Sequence, residues 1–170
     1  MIAAAVFAAM LPAMGAAAQE STNRVATQTD WSVFVEDDPT QCWVVSAPQQ
    51  IRNTRDGREV QARRGDIRLF VSFWPGQDRG GEVSVTGGYP YRDDSTVTLS
   101  VGTDTFELVT DGEFAWAASP DEDAAVAAAL RRGAEAKVSG TSSRGTRTED
   151  TFSLMGFTAA LEDAEGRCAG

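Results

Sequence analysis

The side chains able to do chemistry in this sequence are few, and the missing types narrow the field. Histidine is absent. That removes Ser-His-Asp and Cys-His catalysis, imidazole metal ligation and histidine pH switching together. The only lysine is Lys137, so a Gly-x-x-x-x-Gly-Lys phosphate loop cannot form, and no Gly-x-Gly-x-x-Gly follows a predicted strand. The two cysteines, Cys42 and Cys168, lack the C-x-x-C spacing of a redox pair and are too few for a zinc site.

Carboxylates cluster at Glu36-Asp37-Asp38, Asp93-Asp94 and Asp121-Glu122-Asp123. Paired carboxylates can separate their pKa values for glycosidase chemistry or gather round Ca²⁺. The first two clusters fall in turn-like segments, and the third opens a predicted helix, where acids interact well with the dipole. All three read as solvated structural groups. No catalytic residue, no metal ligand set and no cofactor is assigned.

Arginine offers more. Arg52, Arg55, Arg58, Arg63, Arg64 and Arg68 face only Asp56, Glu59 and Asp66, a basic stretch in a chain of net charge −10. Guanidinium groups hold carboxylate or phosphate bidentately, which makes this stretch a candidate binding patch. The competing reading is that these arginines balance the chain's own acids through surface ion pairs. Phe70 with Trp74, and Tyr89 with Tyr91, could form an aromatic recognition surface, but burial under helices is the commoner fate of such residues.

The elements that must position these groups are mostly strands. Trp31, Val33 and Val35 alternate, as do Ile67, Leu69, Val71 and Phe73, and Cys42-Trp43-Val44-Val45 reads as a buried strand. Phe70 and Trp74 point the other way from Ile67 and its row, so both faces of that strand call for cover. Asp56-Gly57 and Asp111-Gly112 are hairpin signals. Shorter strands around Val83, Val97 and Phe106 follow at close intervals. Ser119-Pro120-Asp121-Glu122 starts a helix that Gly133 stops. Residues 136–142 and 148–154 predict a hairpin across Ser143-Arg144-Gly145-Thr146. A last helix over 155–167, with Phe157, Leu161 and Ala164 on one face, would deliver Cys168 to Cys42. The expected fold is an all-β, immunoglobulin-like β-sandwich with short peripheral helices, closed by one disulfide.

Domain organisation is simple. Residues Ile2 to Ala18 carry no charge, and the apolar run ends in Pro12, Gly15 and small residues, the pattern of a signal peptide cleaved after Ala18. Pro12 and Gly15 leave too little apolar helix for the roughly 20 residues of a membrane span. Residues 19–30 predict a flexible arm, and 31–170 the folded domain. Export places the chain in the periplasm, in the medium or on the cell surface, where disulfides persist, so Cys42 and Cys168 are read as one bridge. Closing so long a loop stabilises by about 4–5 kcal/mol in the chain-entropy account. The acidic net charge argues against nucleic acid as a partner.

Cys42-Trp43-Val44-Val45-Ser46 with Pro48, Arg63-Arg64-Gly65-Asp66 and Gly87-Gly88-Tyr89-Pro90 carry a resemblance, continued by Phe106-Glu107-Leu108, Asp111-Gly112 and Ala115-Trp116. Gly140-Thr141-Ser142-Ser143-Arg144-Gly145-Thr146 and Asp150-Thr151-Phe152-Ser153-Leu154, running into Gly156-Phe157-Thr158-Ala159-Ala160, complete it. In this order and spacing the chain resembles the invasion-associated locus B family of exported alphaproteobacterial proteins. The resemblance implies a periplasmic or surface-associated immunoglobulin-like β-sandwich without established catalytic residues. The expected function is therefore an exported non-enzymatic binding or cell-envelope protein that mediates surface or host interaction, with an unknown protein or an envelope or surface ligand as partner. The alternatives are a carboxylate-dependent hydrolase of envelope glycans, which would use Asp93 or Asp94, and a purely structural periplasmic protein. The Ser142–Thr146 turn reads as a tight hairpin that needs Gly145.

Overall fold

A computed structural model describes residues 23–37, 40–75 and 81–169; the segment 1–18 expected to be a signal peptide and residues 19–22 of the expected arm lie outside the described residues. The first strand is unexpected. β1 (Arg24–Gln28) falls in the predicted arm yet pairs antiparallel with β2 (Trp31–Asp37). Its side chains are mostly exposed, so no apolar alternation marks it. Backbone pairing at a sheet edge holds it, with Ala26 packed against the core.

Alternation does mark the next strands. β2 buries Trp31 and Val33, and β3 (Thr40–Ser46) buries Cys42 and Val44. The chain then leaves that layer. β4 (Gln50–Arg55) and β5 (Arg58–Glu59) form a hairpin across Asp56-Gly57, whose φ values of 51° and 73° are those the two-residue turn needs. Returning, the chain builds β6 (Arg68–Phe73) and β7 (Glu82–Thr86). β8 (Thr96–Val101), β9 (Asp104–Asp111) and β10 (Phe114–Trp116) follow as a meander. After helix α1 (Pro120–Arg132) come β11 (Glu135–Thr141) and β12 (Arg147–Ser153), then helix α2 (Phe157–Cys168).

These strands make one antiparallel sheet in the order β1-β2-β3-β6-β7-β10-β9-β8-β11-β12-β4-β5. The sheet folds back so that Val44, Leu69, Val71 and Val83 share one apolar cluster with Val97, Leu99, Val138 and Phe152. Trp31 Nε1 donates to the Ser153 carbonyl at 3.0 Å, which ties β2 to the end of β12. All-β architecture, short helices and a single bridge are as expected from the sequence. Buried side chains of this size contribute about 1.5–3 kcal/mol each, so the shared cluster dominates the fold's stability.

Both helices follow their local signals. Ser119 Oγ accepts from Glu122 N at 3.3 Å, and Glu122 Oε2 accepts from Ala118 N at 2.9 Å, which satisfies two donors at the α1 start. Asp123 Oδ1 accepts from Val83 N at 2.8 Å and pins α1 to β7. A side chain at Gly133 would collide with Val101 and Leu154, so glycine lets the helix end lie on the core. α2 lays Phe157, Ala160, Leu161 and Ala164 over β2 and β3, with Phe157 edge-on to Trp31 at 4.8 Å. Cys168 then bonds Cys42, with Cα atoms 5.9 Å apart.

Candidate functional site

The path of residues 50–67 creates the site. β4 leaves the β2–β3 layer to pair with β12, with Asn53 opposite Thr148 and Ile51 opposite Asp150. To rejoin the first layer at β6, residues 60–67 must cross the end of the sandwich as a strap. Gly65 N donates to the Gly88 carbonyl at 2.8 Å, which fastens the strap to the Gly87-Gly88-Tyr89-Pro90 segment. Gly88 has φ of 70°, and a Cβ there would lie 2.5 Å from the Gly65 carbonyl oxygen. A Gly88→Ala variant is therefore expected to lose about 1–3 kcal/mol from backbone strain and to displace the strap. Urea unfolding measures the loss, and a variant within 0.5 kcal/mol of wild type, as ordinary surface substitutions are, would show that the strap does not need this approach.

Beneath the strap lies a buried ion pair. Arg64 Nη1 and Nη2 donate to Asp150 Oδ1 and Oδ2 at 2.7 and 2.5 Å, with the side chains only 5% and 2% exposed. Arg64 Nε donates to the Gly87 carbonyl at 2.8 Å, and Nη1 also reaches Asn53 Oδ1 at 3.3 Å. Its guanidinium sits 5.1 Å from the Tyr89 ring centroid. Tyr89 in turn shares a 2.6 Å hydrogen bond with Thr148 and packs edge-on against Tyr91 at 5.1 Å. Burial pushes the Asp150 carboxyl above the ordinary carboxylate range, with the hydrogen bonds and charge of Arg64 pulling it back. Burial likewise pushes both phenols up, Tyr91 more than Tyr89. Arg64 thus clamps the strap to β12 and has little left to offer a ligand.

Above this floor is a cavity of about 480 Å³. Three segments distant in the chain wall it: the hairpin and strap with Arg55 and Arg63, the Gly88-Tyr89-Pro90 segment, and the β11–β12 turn with Ser143 and Arg144. Ser143 N donates to the Pro90 carbonyl and Arg92 N to the Thr141 carbonyl, both at 2.9 Å, which docks the last two walls together. Ser142 N donates to the Thr146 carbonyl and Gly145 N to the Ser142 carbonyl. The turn is therefore the tight hairpin expected, and it is also a wall of the cavity. Arg55 Nη2 donates to Thr146 Oγ1 at 2.6 Å and spans from hairpin to turn. None of Arg55, Arg63 and Arg144 has a carboxylate within ion-pair distance among the described residues. Glu113 is the one carboxylate in the lining, again among the described residues.

The predicted arginine stretch therefore divides. Arg55 and Arg63 face the cavity, and Arg64 is consumed below it. Arg52 lies opposite Glu149 in the β4–β12 register and lines a separate depression with Glu59. Arg58 is exposed on β5. Arg68 donates to the Ile67 carbonyl at 2.9 Å and pairs with Asp66 at 3.5 Å. Of the six, only Arg64 and Arg68 pair with an acid among the described residues, so balancing the chain's own acids accounts for a minority.

Sequence reasoning missed Asp150, Thr148, Arg144 and Glu113 as members of one site. A signal existed for Arg144 and Asp150, since both lie in segments quoted for the family resemblance. Asp93 and Asp94 are exposed on a turn and do not line the cavity, and Asp38 lies outside the described residues. No group of three or more Cys, Asp or Glu able to hold a metal ion occurs among the described residues. Phe70 and Trp74 stay half-exposed, because the helices cover the Cys42 side of the sheet and leave the opposite face open. On that open face Phe34 stacks on Trp43 at 5.3 Å, and Phe114 on Trp116 at 5.6 Å.

Residues 31–165 match the family described as Invasion associated locus B (IalB) protein. The chain belongs to the IalB family. A solved structure, invasion associated protein B from Bartonella henselae, is similar at 21% identity and a TM-score of 0.54, over 84% of this chain and 96% of that one. At that identity the likeness is one of fold. No curated protein matches the chain. Three of the segments that carried the IalB resemblance, around Arg63, Tyr89 and Ser143, meet at the cavity. No helix among the described residues is long and apolar enough to cross a membrane.

Proposed function

We propose that this IalB-family chain is an exported, non-enzymatic binding protein of the cell envelope that recognises an acidic ligand in the cavity between the strap and the β11–β12 turn. The observation that carries this reading is the convergence of Arg55, Arg63 and Arg144, free of carboxylate partners among the described residues, in a chain of net charge −10. Guanidinium groups carried on a hairpin, a strap and a tight turn supply the charged donors that an oxyanion pairs with. Export is supported by the uncharged apolar start of the chain and by the Cys42–Cys168 bridge, which belongs to an oxidising compartment.

The test is retention of the purified protein on a sedimented envelope fraction. A charge-assisted hydrogen bond is worth about 1.5–3 kcal/mol, so reversing Arg63 and Arg144 to Glu is expected to weaken retention by roughly tenfold or more. Reversing Arg52 and Arg58, which lie outside the cavity, is the control for general surface charge. Equal retention by the two double variants would reject the cavity as the recognition site.

A further inference from the structure

The cavity is built for more than an anion. A bare oxyanion needs a few donors, whereas about 480 Å³ lies in the range of sites that enclose a whole small molecule. One wall is an aromatic and proline surface, Tyr89 with Pro90. Tyr89 is fixed there by Thr148 and by its contacts with Arg64 and Tyr91. Elsewhere the lining offers Gln61, Ser143 and the Glu113 carboxylate. A carboxylate in a cavity whose other charged side chains are arginines opposes a ligand that is anionic throughout. It suits one that brings hydroxyl donors beside its charge. Cationic donors, mixed hydroxyl-binding groups and the carbon surface of Tyr89 and Pro90 together match the three surfaces of an acidic sugar: its oxyanion, its hydroxyls and the C–H face of its ring.

We infer that the cavity takes a sugar ring carrying a single oxyanion substituent, a carboxylate or a phosphate ester, with Arg63 and Arg144 on the oxyanion and Glu113 on ring hydroxyls. This deepens the reading above and rests on it. It also excludes polyanions such as nucleic acid, which would place further phosphates against Glu113 and the acidic surface of the chain.

Titration calorimetry of the purified, disulfide-intact domain tests it with five probes: glucuronate, glucose 6-phosphate, glucose, acetate and inorganic phosphate. At least one acidic sugar is expected to bind about tenfold or more tighter than glucose, acetate or phosphate, since glucose lacks the oxyanion and the other two lack the ring and its hydroxyls. Arg63→Glu with Arg144→Glu is expected to abolish that binding. Glu113→Gln is expected to weaken the acidic sugar severalfold while leaving inorganic phosphate no weaker, a split that a merely structural Glu113 would not produce. The comparison of glucuronate with glucose 6-phosphate tells carboxylate from phosphate ester. Acetate or phosphate binding as tightly as the acidic sugars would overturn the sugar inference and leave the acidic-ligand reading standing. Glucose binding as tightly would overturn both. If none of the five binds to protein of unchanged melting temperature, the sugar inference fails, and envelope retention separately decides the broader reading.

Discussion

Replacing Asp150 with alanine is expected to lower the unfolding free energy by about 3–5 kcal/mol, because it leaves Arg64 buried under the strap without its counter-charge. For a chain of this size that corresponds to a fall of roughly 10 °C in melting temperature. The pair itself is a different matter. Burial pushes the Asp150 carboxyl up while the hydrogen bonds and charge of Arg64 pull it back, so the pair carries a desolvation cost of its own. An apolar replacement of both partners should then cost much less than either single loss. The double variant Arg64→Met with Asp150→Leu is accordingly expected to be more stable than Asp150→Ala, which a double-mutant cycle in urea would measure. Asp150→Ala within about 1 kcal/mol of wild type would mean that water or another group compensates Arg64, and the clamp would not hold the strap. Loss of the clamp should also weaken ligand binding, since the strap carries Arg63 to the cavity.

The second large effect is that of the disulfide. Cys42 lies in β3 and Cys168 at the end of α2, so the bridge closes a loop of most of the chain. Its loss is expected to cost about 4–5 kcal/mol if it acts mainly by restricting the unfolded chain. Intact mass after alkylation, with and without reductant, checks the state of the thiols, and thermal unfolding of the reduced protein checks the cost. Uptake of two alkyl groups without reductant would sink the bridge. A reduced protein melting within about 2 °C of the oxidised one would show that α2 packing alone holds the helix. That packing is substantial, for Phe157, Ala160, Leu161 and Ala164 are all buried against β2 and β3.

Both groups bear on how far the sequence could be read. Cys42 and Cys168 were legible as a pair from scarcity and the expected compartment alone. Asp150 was not, because its strand buries Thr148, Asp150 and Phe152 in turn, and the polar members of that row look like solvent-facing residues. Only a guanidinium arriving from a segment 86 positions away makes burial of that carboxylate tolerable. The same remoteness explains why the arginine stretch read as one patch. Its members share a sequence neighbourhood, but a hairpin, a crossing strap and a strand direct them to different surfaces.

Sequence by itself determined the local grammar of this protein. The strands with apolar alternation, the Asp56-Gly57 and Ser142–Thr146 turns, the capped start of α1 and the IalB resemblance are readable because each depends on neighbours within a few residues. The tertiary structure decided where β4 pairs, which arginines remain free, and that Tyr89, Arg144 and Glu113 share a cavity with Arg63. Those outcomes depend on strand partners far apart in the chain. They are set by how one folded sheet buries its apolar faces, a condition no local stretch of the sequence expresses.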